Sequence, residues 1–363
     1  MATGETGTSS SSGSAAQPSG SLGSPVYGHL YWLLPTILAT AALTLWLLLN
    51  PKWGADVAAI VVIPLNVAAV IVPILIRASE QGALIPSRRR MLRFAILFTA
   101  LAFAASVGVY LYTREPDPRD YLSGTVKVGV NLEDYPGWST MRNNTRVGFD
   151  IALVEFLASH FKFTPEYIPL SLSERLGQLR GSRKGDVKLV VANFSMTPDR
   201  EQSIDFAGPY FLDTQKFFTW DPVKRLEDIP PEKVCVPNGT TGHERLEKLG
   251  WKPIYEPSLA KCLNKFLSKA DPDMAVSTDA AILEANAKAK GIDPPGSLSL
   301  GVEKYGIGIP NNRPKLCKKL NEAIEEFVLR QWDITFRAHL NGLSPDNRRP
   351  TSPAECKSPA SFI

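Results

Sequence analysis

This sequence predicts an α/β domain carried outside a membrane, with three helical spans ahead of it. Three observations carry that expectation. Three apolar runs, each about the 20 residues that cross a bilayer core, stand in series between residues 30 and 112. From residue 126 onward, short apolar stretches alternate with segments of helical spacing, a βαβα order that implies a mostly parallel sheet covered by helices. All four cysteines, Cys235, Cys262, Cys317 and Cys356, follow the spans, as disulfides of an extracellular domain would.

Composition narrows the function classes. The chain has 363 residues and a formal net charge of +4, too modest to suggest a nucleic-acid partner. The four histidines are scattered and no two cysteines form a C-x-x-C pair, so neither a zinc site nor another cofactor is expected. Four cysteines allow three pairings, and buried free thiols remain the alternative.

In chain order, residues 1–29 are rich in Ser, Gly, Thr and Ala and contain no Lys or Arg, which predicts a disordered tail without the basic start of a secretory signal. The spans are 30–49, 57–76 and 94–112. Pro64, Asn66 and Pro73 should kink the second, and Trp32, Trp46, Trp53, Tyr110 and Tyr112 sit near the ends, at interface depth. The loop holding Arg77, Arg88, Arg89, Arg90 and Arg93 is read as cytoplasmic against a first loop with only Lys52. That puts the N-terminal tail inside and everything after Thr113 outside. Residues 114–124 read as a polar linker.

The outer domain then reads as a strand at 126–130, a turn-rich loop at 133–145, a helix at 149–161, a strand at 163–168, and a helix opened by the capping box Ser171-x-x-Glu174. A strand at 188–192 follows. Residues 214–220 look like an extended crossing segment. Beyond it come a strand at 233–236, helices near 243–249 and 259–269, a strand at 274–276, a helix at 279–290, a return crossing at 301–310 and closing helices at 314–329 and 331–340. The Pro- and Ser-rich tail, 344–363, is expected to be flexible apart from a tether at Cys356.

The stretch around which this order turns is VVANFSMTPDREQSIDFAGPYF, residues 190–211. An apolar run breaks at Asn193, and Thr197-Pro198-Asp199 then signals a helix start. Arg200 puts a cation in that helix's first turn, where the macrodipole opposes it. It reads either as a bidentate grip for a carboxylate or as a solvated surface arginine.

These residues resemble the central motif of family 3 extracellular solute-binding proteins, the amino-acid receptors of ABC importers, which are related to the ligand-binding core of ionotropic glutamate receptors. Gly148-Phe149-Asp150 resembles the family's helix start and residues 305–342 its closing helices. The resemblance covers roughly 125–343. It implies a two-lobed periplasmic-binding-protein-like (type II) fold joined by a two-strand hinge, with lobe 1 at 125–219 and 303–343 and lobe 2 at 220–302. It also implies the pairing Cys235–Cys262, leaving Cys317–Cys356 to pin the tail.

Carried over by position, Arg200 and Ser195 would hold a ligand's α-carboxylate, and the Asn193 carbonyl and the Asp279 carboxylate its amine. Thr240 and Thr241, ahead of a helix, would receive the side chain; their local alternative is a turn with a plain N-cap. Asp279 has the same alternative. Tyr135 or Trp138 would supply an aromatic lid, or simply pack. Lys188 and Asn193 depart from the family pattern and leave ligand choice open. The implied function is membrane-anchored binding of a polar or acidic amino acid such as glutamate, glutamine or aspartate, for an ABC permease or for sensing, and not an enzyme. Two other classes stay open: a dehydratase of cyclic acids, with Glu133 or Asp134 as its acid, and an interaction module without a ligand.

Overall fold

The computed structural model of the protein describes residues 115–180, 187–292 and 297–357, with four further helical positions at 97, 100, 101 and 104. The chain divides into units of residues 1–114 and 115–363. The predicted spans 30–49 and 57–76 lie outside the described residues, and only those four positions of the third are described. Among the described residues no helix is long and apolar enough to cross a membrane.

In the second unit the chain enters through a short helix, α1 (Pro118–Tyr121), and strand β1 (Gly124–Asn131). A hairpin, β2 (Thr140–Arg142) and β3 (Thr145–Val147), leads to α2 (Phe149–Phe161), β4 (Phe163–Leu170) and α3 (Glu174–Leu179). Next come β5 (Leu189–Val190), α4 (Pro198–Glu201) and the long β6 (Ile204–Phe218). The middle of the unit holds β7 (Val234–Pro237), α5 (Thr241–Lys248), β8 (Ile254–Glu256), α6 (Leu259–Leu267), β9 (Ala275–Asp279) and α7 (Ala280–Ala289). The chain returns through β10 (Ser297–Pro310) to α8 (Pro314–Arg330) and α9 (Trp332–His339).

Local chemistry accounts for most of these bounds. Ser258 caps α6 by accepting from Lys261 N at 3.3 Å, and that helix buries Leu259, Cys262, Leu263 and Phe266, one face at helical spacing. Pro314 opens α8, where no intrahelical N–H is needed. Glu174 accepts from Ser171 N at 2.8 Å and Oγ at 2.6 Å, so the predicted capping pair forms, although the helix starts at Glu174 itself.

Eight strands make one mixed sheet in the order β4-β1-β5-β10-β6-β9-β7-β8. β1 runs parallel to β4 and β5, and β7 parallel to β8 and β9. Between these groups lie β6 and β10, antiparallel to each other from Ser297–Phe218 to Pro310–Ile204. The mostly parallel sheet expected from the βαβα order is therefore corrected. Each end is parallel, but the two crossing strands are long, antiparallel and central. The central place of β6 follows from its sequence: residues 204–211 are buried without interruption, as a strand covered on both faces must be.

The core at this crossing is aromatic. Trp138, Phe149, Phe211 and Tyr305 pack with ring centroids 4.7–5.7 Å apart, and Trp332 and Phe336 extend the stack. Such pairs add about 0.5–1.5 kcal/mol each beyond the burial of their area.

Three further expectations change. The turn-rich loop at 133–145 contains strand β2 and meets β3 in a hairpin. The linker at 114–124 is docked: Glu115 accepts from Lys315 N at 3.0 Å and Leu316 N at 2.9 Å at the start of α8, where a carboxylate suits the helix dipole. The tail is packed through residue 357. Leu212 N donates to Arg348 O at 2.8 Å, Ala354 N to Gly208 O at 2.6 Å, and the Arg348 guanidinium is buried against Glu284 at 2.7 Å and Asp213 at 3.5 Å.

Both disulfides pair as the resemblance implied, Cys235–Cys262 and Cys317–Cys356. The second closes a loop with a sequence separation of 39 residues, and on a chain-entropy account that is worth about 4 kcal/mol. Replacing Cys317 and Cys356 together by Ser is expected to lower the melting temperature by roughly 10 °C in a calorimetric scan. An unchanged melt would show that the tail adds nothing to the folded unit.

Candidate functional site

Each half of the sheet brings a loop to the crossing strands. From the first half, β5 ends at Val190 and the chain passes through Asn193, Phe194 and Ser195 before Thr197 caps α4, accepting from Arg200 N at 3.3 Å. This loop is bridged to β10: Ser195 pairs with Tyr305, Gly306 N donates to Phe194 O at 3.0 Å and Met196 N to Lys304 O at 2.8 Å. Asn193 takes a left-handed backbone, φ 48°, which Asn tolerates better than most residues. Below it, the buried Asp150 accepts from Asn193 N at 3.0 Å and from the Tyr210 hydroxyl at 2.9 Å. Burial pushes the Asp150 carboxyl up to about 7, against the pull of those two bonds and of Arg175.

From the second half, β7 runs into Asn238-Gly239-Thr240 and α5. Gly239 has φ +75° and lies so close to the first half that a Cβ there would meet Ser173 N at 3.0 Å and Leu172 C at 3.1 Å. Only glycine serves both needs. β9 ends at Asp279, where α7 begins. The Asp279 side chain does not cap that helix. Asp213 of β6 does, accepting from Ala281 N at 2.9 Å.

These segments enclose a cavity of about 20 Å³ lined by Tyr135, Leu172, Arg175, Asn193, Ser195, Arg200, Thr240, Thr241, Thr278, Asp279 and Ile282. That is room for about one water. Seven of the eight ligand-binding residues read from the sequence therefore meet on one wall. Trp138 does not: it is fully buried among Phe149, Phe211 and Tyr305. Its loop closes into the core because Trp138 N donates to Tyr135 O at 2.9 Å and Asp150 N to Trp138 O at 3.2 Å. Tyr135 lines the cavity. Glu133 and Asp134 do not, and Asp134 instead accepts from Met141 N at 3.1 Å.

The charged groups have definite partners. The buried Arg200 donates to Ser195 O at 3.0 Å and from its other terminal nitrogen to Gly239 O and Glu244 Oε1, both at 3.3 Å. Thr240 does cap α5, accepting from His243 N at 3.2 Å, while its hydroxyl donates to Pro237 O at 2.8 Å. Thr241 donates to Glu303 Oε2 at 2.9 Å, and Arg245 holds the other Glu303 oxygen at 2.7 Å. Asp279 accepts from the Tyr305 hydroxyl at 2.6 Å. Burial holds the Asp279 carboxyl well above the usual carboxylate range, and the nearby Glu303 and Asp213 push it the same way.

Sequence reasoning missed Arg175. It is 3% exposed and spans the cleft, donating from Nη1 to Ala192 O at 2.7 Å, from Nη2 to Gly239 O at 3.3 Å and from Nε to Leu172 O at 3.2 Å. Arg175 and Arg200 both stand over the Phe194 ring, at 4.9 and 5.1 Å. Burial and the Arg200 charge lower Arg175 to about 10. The available signal was its place in the first turn of α3, where a cation opposes the helix dipole as Arg200 does in α4. Asp213, Glu303 and Tyr305, behind the wall, carried no local signal.

With this geometry in hand, comparison with known proteins is informative. The profile of the bacterial extracellular solute-binding proteins, family 3, matches residues 126–332, more than half of the chain. A protein of Neisseria gonorrhoeae named "Probable histidine-binding protein" is 29% identical over 215 residues, 55% of this chain and 76% of that protein. A glutamate-binding protein of Corynebacterium efficiens is 26% identical over 227 residues, 56% and 74% of the two chains. The solved structure of an ancestral arginine-binding protein bound to arginine is 27% identical with a TM-score of 0.53, covering 60% of this chain and 99% of that one.

Asp150 gives the site an unusual pH signature. A carboxyl whose folded value is raised favours the folded state below the unfolded value, near 3.8, and that contribution is lost as pH rises through about 7. Asp213, raised to about 6, acts in the same direction. Melting temperature is expected to fall from pH 4.5 to 7.5 in buffers of constant ionic strength, with a smaller slope in Asp150→Asn. An equal slope in the variant would remove Asp150 as the cause.

Proposed function

The chain belongs to the bacterial extracellular solute-binding proteins, family 3, and on that premise we propose that it binds a polar or acidic amino acid outside the cell. We further propose that the three N-terminal spans anchor it in the membrane with the binding unit extracellular. There it would deliver solute to an ABC permease or report its presence. One observation carries the reading: Arg200 and Asp279, buried and of opposite sign, line a single cavity with Ser195 and Asn193. A zwitterion needs such an arrangement, because each of its charges is costly to bury unless paired.

The cavity is far smaller than an amino acid, so entry requires the two halves of the sheet to part. β6 and β10 are the strands that link them, and bending there is the motion proposed. In the closed arrangement Arg200 and Arg175 reach across to Gly239 O, contacts that ligand binding would replace or reinforce. The ligand's ammonium would favour the ionised form of Asp279, which burial alone opposes, and the Tyr305 hydroxyl would orient the carboxylate.

Calorimetric titration of the full-length protein with each amino acid and with prephenate tests the reading. Saturable binding of a polar or acidic amino acid is expected. Arg200→Ala should weaken it by more than about 100-fold, and Asp279→Asn by at least about 10-fold. Binding that survives Arg200→Ala would place the ligand elsewhere. Absence of binding by any amino acid would overturn the proposal; consumption of prephenate would then favour a dehydratase, and its absence an interaction module.

A further inference from the structure

We propose that Arg175 is a second anion-holding residue of this cavity, and that the ligand carries two acidic groups beside its amine, one for Arg200 and one for Arg175. The inference rests on the amino-acid-binding reading and narrows it to a residue and a ligand class.

Of the buried arginines Arg175, Arg200 and Arg348, Arg175 is set apart by its lack of an ion pair. Arg245 is paired with Glu303 at 2.7 Å, Arg348 with Glu284 at 2.7 Å, and Arg200 with the partly exposed Glu244 at 3.3 Å. Among the described residues, no carboxylate stands within ion-pair distance of Arg175. All its recorded hydrogen bonds go to backbone carbonyls, of Leu172, Ala192 and Gly239. Those carbonyls fix the plane of the guanidinium and occupy three of its five N–H donors. Two donors remain on a side chain that lines the cavity. A buried guanidinium with neutral acceptors alone is an incomplete site, since burying a charge is costly until an opposite charge meets it.

The threonines ahead of α5 do not offer the alternative. Each hydroxyl has one hydrogen. That of Thr240 goes to Pro237 O at 2.8 Å and that of Thr241 to Glu303 at 2.9 Å. Neither can donate to a ligand carboxylate without giving up its present bond.

Charge on the wall points the same way. The ionisable lining groups besides Tyr135 are Arg175, Arg200 and Asp279, two cations against one acid, with the partly exposed Glu244 outside the lining at 3.3 Å from Arg200. Glu303 and Asp213 stand behind the wall and face Arg245 and Arg348. A ligand with one amine and one carboxylate leaves the excess cation unanswered. A basic side chain adds to it. A second acidic group closes the balance.

The test is calorimetric titration of the full-length protein with glutamate, glutamine, aspartate, asparagine, histidine and arginine, in the wild type, Arg175→Met and Arg175→Lys. The wild type is expected to bind an acidic amino acid at least about 10-fold more tightly than its amide. Arg175→Met should bring that ratio to about one, with the larger loss falling on the acidic ligand, and Arg175→Lys should keep the acidic preference. A wild type that prefers an amide or a basic amino acid overturns the proposal. So does an Arg175 variant that weakens acid and amide alike, the mark of a structural role. Should Arg175→Met fail to fold, Arg175→Gln, which keeps donors for the backbone carbonyls but carries no charge, decides by the same ratio. Failure of every amino acid to bind is a separate result, which overturns the amino-acid reading itself.

Discussion

Charge buried where the two halves of the sheet meet is the constraint on which this structure depends. Arg175, Arg200, Asp213, Asp279 and Glu303 are each less than 7% exposed. Unpaired, any one of them would cost several kcal/mol. The fold answers with partners drawn from distant points of the chain: Arg245 from α5, Arg348 from the tail, Tyr305 from β10, and carbonyls from both loops that flank the cleft. Two long antiparallel strands make this possible. They bring Asp213 and Tyr305 within 3.2 Å and run residues 204–218 past both halves.

The same constraint explains what could be read in advance. Most strands and helices of the second unit were legible, since they are marked by local periodicity and by signals such as Thr197 and Pro314, whereas the short β2, β3 and β8 were not. Arg200 and Ser195 were legible through the family motif, Arg200 also because it sets a cation against the dipole of α4, and Asp279 because it ends β9 where α7 begins. Thr240 met its bland reading and its place on the cavity wall at once. A helix cap lies at the mouth of a cleft for the same geometric reason that ligands do.

What escaped was non-local. The antiparallel crossing replaces the parallel sheet because β10 arrives from about 90 residues downstream of β6, a pairing that no window of sequence displays. Arg175 resembles any charged residue of a polar helix turn; only the approach of Gly239 from the other half buries it. Trp138 looked available because its loop is rich in turn residues. It is instead drawn into a cluster in which Phe211, Tyr305 and Trp332 lie far along the chain. The tail, polar and Pro-rich, has the composition of a flexible segment, and becomes ordered because Cys356 is bonded to Cys317 and Arg348 finds the buried Asp213 and the half-buried Glu284.

That last arrangement ties a segment beyond the family match to the wall of the cavity. The matched region ends at residue 332, and Arg348 lies past it. Arg348 faces Asp213, which caps α7 at Ala281 and shares the Tyr305 hydroxyl with Asp279. That hydroxyl has a single hydrogen, and the shorter contact directs it to Asp279. The longer contact, to Asp213, is tolerable because Arg348 supplies the charge that the hydroxyl does not. The tail therefore helps settle how three neighbouring acids share two arginines and one phenol. It does so from behind the wall, through residues that never line the cavity, and its disulfide fixes the position from which it acts.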